Sequence, residues 1–256
     1  MPKTVFAIVA HPDDIEFVMA GTMIHLRDAG CELHYMTVAN GCCGSMKDDA
    51  ETTAKIRRQE SINAAEFIGA TYHESLVNDL EIFYDRPTLL RLASIVREVA
   101  PDILLTHSPQ DYMEDHMNTS RLVVTSAFSR GMPNFPVTPP TAIAENEVTI
   151  YHAQPHGNQD AIRQRILPDF YVNIDGQIEQ KAQMLALHAS QKEWLDESQG
   201  MESYIHSMKQ LSKEVGDLSG CFTFAEGWRR HSHLGFCQEN SDPMLELLPA
   251  DSYAKN

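Results

Sequence analysis

The chain is short of cysteine and of positive charge, and it holds no long apolar run. Its five cysteines (Cys31, Cys42, Cys43, Cys221, Cys237) are odd in number and sparse, with no C-x-x-C pair. That argues against a disulfide framework and fits a reducing cytoplasm. Cys42 and Cys43 read as two ordinary loop thiols, because adjacent cysteines rarely bridge each other. No stretch approaches the ~18 uninterrupted apolar residues of a membrane span. Met1-Pro2-Lys3 runs straight into a strand-like segment, without the length or cleavage region of a signal peptide. Repeats, low-complexity segments and a convincing linker are also missing. Bases number 20 against 36 acids, a formal net charge of −16 over 256 residues. The excess is spread along the chain, −9 in residues 1–128 and −7 in 129–256. Such a field repels phosphate backbones and anionic lipid, so neither nucleic acid nor membrane is an expected partner. A neutral or cationic small molecule and a metal cation are favoured, and a homo-oligomer is left open.

Hydrophobic residues make up 43% of the chain, ordinary for a globular protein. The first half alternates two periodicities. Thr4–Ala10, Glu32–Ala39, residues 71–76 and Ile103–Thr106 read as strands, the first and last as buried apolar runs. Helices are expected over 15–29, closed by Gly30, over 50–69, over 87–99 after Pro87, and from about Asn118. Residues 129–147 hold four of the thirteen prolines and read as a long loop or flap. Strands near 148–153 and 169–174 and helices near 176–195 and 201–216 complete the reading. The expected fold is a Rossmann-like α/β domain: a mostly parallel sheet flanked by helices, with a C-terminal strand and helix extension. One domain over 1–256 is expected, with 1–130 as the Rossmann-like half and 131–256 as flap and completion.

A dinucleotide fold would place G-x-G-x-x-G after its first strand. Here Ala10-His11-Pro12-Asp13-Asp14 stands in its place. A helix start explains one aspartate as a cap, but not a second one, nor a histidine at a strand tip. After the strand Ile103–Thr106 comes a second cluster, His107-Ser108-Pro109-Gln110-Asp111-Tyr112-Met113-Glu114-Asp115-His116. Both clusters leave the same expected edge of the sheet. Two imidazoles and one carboxylate make a catalytic zinc set that leaves a position for water, and His11, Asp14 and His116 could supply it.

With these clusters in order, the sequence resembles the PIG-L/LmbE-like zinc-dependent N-deacetylases, which act mainly on N-acetylglucosamine-type amides. Further matches are Arg57-Arg58-Gln59-Glu60 with Ala64-Ala65 and Gly69, then Asp79, then Lys181…His188-Ala189-Ser190-Gln191, then Phe224-Ala225-Glu226-Gly227-Trp228-Arg229. They span roughly residues 4–230. The resemblance implies His11, Asp14 and His116 as ligands of one Zn2+ per chain, with Fe2+ as the alternative metal, and Asp13 as general base.

The sequence departs from that family at Met113, where many members have a histidine that assists the oxyanion or leaving group. A thioether neither donates a hydrogen bond nor carries a proton. Either His107, Tyr112, His152 or His156 substitutes, or turnover is reduced. Arg57 and Asp79 are candidate sugar contacts, Tyr112 and His152 candidate walls, and Asp115 a further candidate beside His116. His188 and Gln191 read as structural support. The expected activity is removal of an acetyl group from an amino-sugar derivative. The rivals are a catalytically silent metal- or sugar-binding member and an amidase of a larger conjugate.

Overall fold

A computed structural model describes residues 2–191 and 203–256. Strand β1 (Thr4–Val9) is a buried apolar run because both of its faces are covered. Val5, Ala7 and Val9 enter one core with Met23, Ile24, Ala64 and Leu185. Phe6, Ile8 and the following Ala10 enter the other core with Leu92, Val96, Leu122 and Val123. This alternation into two apolar layers is what a sheet sandwiched between helices requires.

The sheet has eight strands in the order β3-β2-β1-β4-β5-β7-β6-β8. The first five, β3 (Thr71–His73), β2 (Glu32–Thr37), β1, β4 (Ile103–Thr106) and β5 (Thr149–Ala153), run parallel. Then β7 (Ala225–Arg230), β6 (Phe170–Asn173) and β8 (Tyr253–Lys255) add antiparallel pairs. From β1 the chain moves outward to β2, and from β4 it moves the other way to β5. The carboxyl ends of β1 and β4 therefore form the topological switch point, where open α/β sheets bind ligands. The mostly parallel sheet and its C-terminal extension agree with the fold expected from sequence.

The differences are local and have physical causes. The helix expected over 15–29 is two helices, α1 (Asp14–Val18) and α2 (Ala20–Asp28), broken at Met19 (φ −147°, ψ −6°). The Glu226 carboxylate takes the N–H groups of Gly21 and Thr22 at 2.9 and 2.7 Å, which a continuous helix would have spent on its own carbonyls. Helix α3 (Ala50–Phe67) and helix α4 (Arg86–Val99) are each capped by an aspartate, Asp49 and Asp85. Helix α5 (Glu114–Ser129) begins at Glu114, four residues before the expected Asn118. Helix α6 (Ile178–Leu185) is shorter than 176–195. The chain turns after it, so that Ser190 donates both its N–H and its hydroxyl to Glu60 on α3, at 2.8 and 2.7 Å. Residues 192–195 and 201–202 of the expected helices lie outside the described residues. Helix α7 (Ser203–Ser219) and helix α8 (Pro243–Leu247) follow. Residues 130–147 form a loop, but Arg97 and Arg130 hold it against the helices through carbonyls of Met132, Phe135 and Asn146. It does not cover the switch point as a flap would: among the described residues, none from this loop lines the cleft there.

Candidate metal centre

The β1 carboxyl end delivers His11 and two aspartates in one tight turn. Asp13 occupies the cap position of α1 with φ 97°, in the left-handed region, which Asp tolerates better than most residues. Its side chain makes no capping hydrogen bond. The capping role that could have explained this aspartate is therefore unfilled, and its carboxylate faces a cleft of about 380 Å³. A strained backbone at such a position is characteristic of a functional site.

His11 and His116 approach Asp14 from two sides. His11 Nδ1 stands 3.5 Å from Asp14 Oδ2, and His116 Nε2 stands 3.4 Å from Asp14 Oδ1. Each ring has its far nitrogen on a carboxylate: His11 Nε2 on Asp115 Oδ2 at 2.9 Å, and His116 Nδ1 on Asp111 Oδ1 at 3.0 Å. This is the carboxylate–histidine arrangement that fixes tautomer and ring orientation around a metal. One ligand atom from each of His11, Asp14 and His116 lies within 4.8 Å of the others, so the donor set fits a single divalent cation. A second grouping, His107, Asp111 and His116, meets the same distance limit. In it, however, Asp111 and His116 already face each other, and His107 Nε2 accepts the Ala10 N–H at 2.9 Å.

The electrostatics agree with that reading. Burial pulls His11 and His116 down, but hydrogen bonds and charge from Asp115, Asp14 and Asp111 outweigh it and raise them to about 9 and about 10. Burial pushes Asp14 up, yet the charges of His116 and His107 hold it well below the usual carboxylate range. A cation seated among these groups takes the place of the imidazole protons. Burial raises Asp13, against the opposing pull of Arg57. Burial lowers His107, whose ring stacks on His116 at 4.0 Å between centroids and 5° between planes.

The remaining sequence candidates separate. Tyr112 and His156 line the cleft mouth, with ring centroids 6.1 Å apart. Arg57 is buried and donates to the Pro12 carbonyl and, at 3.3 Å, to Asp13 Oδ2. It braces the turn and is not among the groups lining the cleft. Gly41 makes room for it: a Cβ there would lie 2.6 Å from Arg57 Cδ. Asp79 has both oxygens on backbone N–H groups, Gly41 at 2.7 Å and Cys43 at 2.9 Å, so it holds the loop after β2. His152 is not a wall of this cleft. Its Nδ1 donates to the His107 carbonyl at 2.8 Å and its Nε2 meets His231 Nδ1 at 2.9 Å, behind the β4 end.

Sequence reasoning assigned no role to two residues here. Asp111 sat inside the quoted cluster, and its five-residue spacing to His116 was the available signal. Tyr204, which donates to Asp13 Oδ2 at 2.6 Å, arrives from α7 with no local signal. Of the two residues read as structural support, His188 is packed away from the cleft while Gln191 also lines it. His188 is fully buried with Nε2 3.4 Å from Glu16, and Gln191 donates to the Gly44 carbonyl at 2.7 Å.

Comparison with known proteins points the same way. The family described as PIG-L, GlcNAc-PI de-N-acetylase, matches residues 6–127. The diacetylchitobiose deacetylase of Thermococcus kodakarensis is 26% identical over 196 residues, 74% of this chain and 70% of that one. The solved structure of N,N'-diacetylchitobiose deacetylase from Pyrococcus horikoshii superposes with a TM-score of 0.77 at 26% identity, over 91% of this chain and 85% of that one. The 4-oxalmesaconate hydratase of Pseudomonas putida is 30% identical over 122 residues, 44% of this chain and 47% of its own length. With the two histidine clusters at one sheet edge and these matches across them, the chain is similar to the PIG-L/LmbE-like deacetylases in sequence over residues 6–127 and in fold.

Proposed function

We propose that the chain is a zinc-dependent hydrolase that removes the acetyl group from an N-acetylglucosamine-type sugar derivative, with His11, Asp14 and His116 as ligands and Asp13 as general base. The supporting observation is the convergence of two carboxylate-braced imidazoles on Asp14 beside an aspartate with no capping duty. A divalent cation bound there lowers the pKa of its water and polarises the acetyl carbonyl, the two difficulties of an unreactive amide. Asp13 accepts the proton of the attacking water and returns it to the departing nitrogen. Tyr204 and Arg57 fix the carboxylate through its Oδ2, leaving Oδ1 toward the reaction. With Met113 unable to donate, His156 at the cleft mouth is the imidazole placed to meet the oxyanion. Five free cysteines and the lack, among the described residues, of a helix long and apolar enough to cross a membrane support a cytoplasmic enzyme.

The hydratase relative favours a second reading, addition of water to an unsaturated carboxylate. The cleft argues against it. Among the described residues its lining carries Asp13, Asp14 and Asp111 but neither lysine nor arginine, so beyond the metal and its histidine ligands a dicarboxylate meets no further counter-charge, while a neutral amide and its cationic amine product need none. Acetate release from a panel of N-acetylglucosaminides, run beside hydration of unsaturated dicarboxylates, separates the two. Acetate released in step with free amine is the expected result. Hydration without deacetylation would overturn the proposal, and release of a larger acyl group would move it to the amidase reading.

A further inference from the structure

The loop after β2 carries a second group of metal-binding side chains, outside the cleft. Cys42 Sγ and Cys43 Sγ lie 4.0 Å apart, and these thiols and an Asp79 oxygen all lie within 4.8 Å of one another. Two sulfurs each about 2.3 Å from a tetrahedral zinc stand about 3.8 Å apart. The thiols already hold nearly that separation, whereas a disulfide needs about 2.05 Å. Asp79 is aimed by the Gly41 and Cys43 N–H groups, one on each oxygen, and each oxygen keeps a lone pair. A carboxylate oriented by backbone donors is the outer support that metal ligands require. Cys42 also borders an open groove of about 490 Å³ beside Asn40, Asn78 and Tyr72, which gives a cation a path in.

We propose that Cys42, Cys43 and Asp79 form a second metal site, selective for a thiophilic divalent cation of the zinc and cadmium class, with its fourth position open to water. Thiolates set that preference, and magnesium or calcium is excluded by the same softness. Arg57 of α3 also holds this loop, donating to the Gly41 carbonyl at 3.3 Å.

The full chain, stripped with chelator, is titrated with Cd2+ while thiolate-to-cadmium charge-transfer absorbance and bound metal per chain are recorded. Two equivalents and a saturating band are expected. The Cys42→Ser/Cys43→Ser double variant loses the band and one equivalent. His116→Ala loses the other equivalent and keeps the band. Asp79→Asn weakens the band-forming site by about tenfold. A wild type with no band, a band that survives in the double-serine variant, or unchanged affinity in Asp79→Asn overturns the proposal.

Discussion

Tyr204 donates a 2.6 Å hydrogen bond to Asp13 Oδ2 across 191 positions of sequence. The phenol is buried, and burial together with the Asp13 charge keeps it well above its ordinary pKa, so it is a donor at every working pH. It positions the proposed base without itself accepting a proton. Tyr204→Phe is therefore expected to lower kcat about 10- to 100-fold with little change in KM. The acidic limb of the kcat profile should move to higher pH, because the carboxylate loses a donor that favoured its charged form. A merely structural role would lower the amount of folded enzyme and leave that limb in place.

Metal affinity and catalysis are expected to separate within the one turn that carries His11 and Asp13. Asp13→Asn is expected to keep the wild type's zinc at His11, Asp14 and His116 while kcat falls by at least about 100-fold. His11→Ala is expected to lose that zinc. Metal content after dialysis, with acetate release, reads both. Full activity in Asp13→Asn would remove this residue from the base role.

Asp111 and Asp115 act on the histidines from behind. Asp111→Asn should leave the fold intact and reduce zinc affinity or activity about 10- to 100-fold, since His116 Nδ1 loses the charged acceptor at 3.0 Å. Competition with a chelator measures it. An unchanged affinity would mean that the ring contacts of His116 with His107 and Tyr112 hold it without Asp111.

The parallel half of the sheet was legible because β1 and β4 are uninterrupted apolar runs between turn signals, and both histidine–aspartate clusters followed directly from strand ends. What stayed hidden depended on contacts distant in sequence. The break at Met19 arises from Glu226, about 200 residues away. The β7 strand includes that buried glutamate and Arg229, so its sequence does not read as a two-sided apolar strand. His152 lies within the expected strand near 148–153, but only its pairing with Thr106 and its hydrogen bond to the His107 carbonyl place it behind His107. Tyr204 lies on a helix whose apolar face gives no hint that one hydroxyl leaves the core for Asp13.

His152 makes the fold acid-sensitive. Burial lowers it to about 4, against about 6.5 in the unfolded chain. Above pH 6.5 both states are neutral and the full stability is present. As pH falls from 6.5 to about 4, the unfolded chain takes the proton first, and up to about 3 kcal/mol is lost across that window. His73, lowered to about 4 by burial and by His34, loses stability over the same window. Thermal midpoints measured from pH 7 to pH 4 should fall, and His152→Gln should flatten part of that slope. A slope identical in His152→Gln would assign the sensitivity elsewhere.

Lys181 and Glu226 form an ion pair of 2.6 Å with both side chains out of solvent. Glu226 is also the acceptor for Gly21 and Thr22 at the start of α2. Burial raises this carboxyl, but Lys181 and the Thr22 N–H outweigh it and hold it below its ordinary range. Removing one partner leaves an uncompensated buried charge, which costs about 3–5 kcal/mol. For a chain of this size that lowers Tm by about 6–20 °C. Lys181→Met and Glu226→Gln should each fall in this range. The double variant should be less destabilised than the two losses added together, because neither charge is then left alone. Glu226→Gln keeps one acceptor oxygen for the α2 N–H groups, so it should be the milder single change. Strict additivity of the two would show that Glu226 stabilises the fold through α2 and not through Lys181.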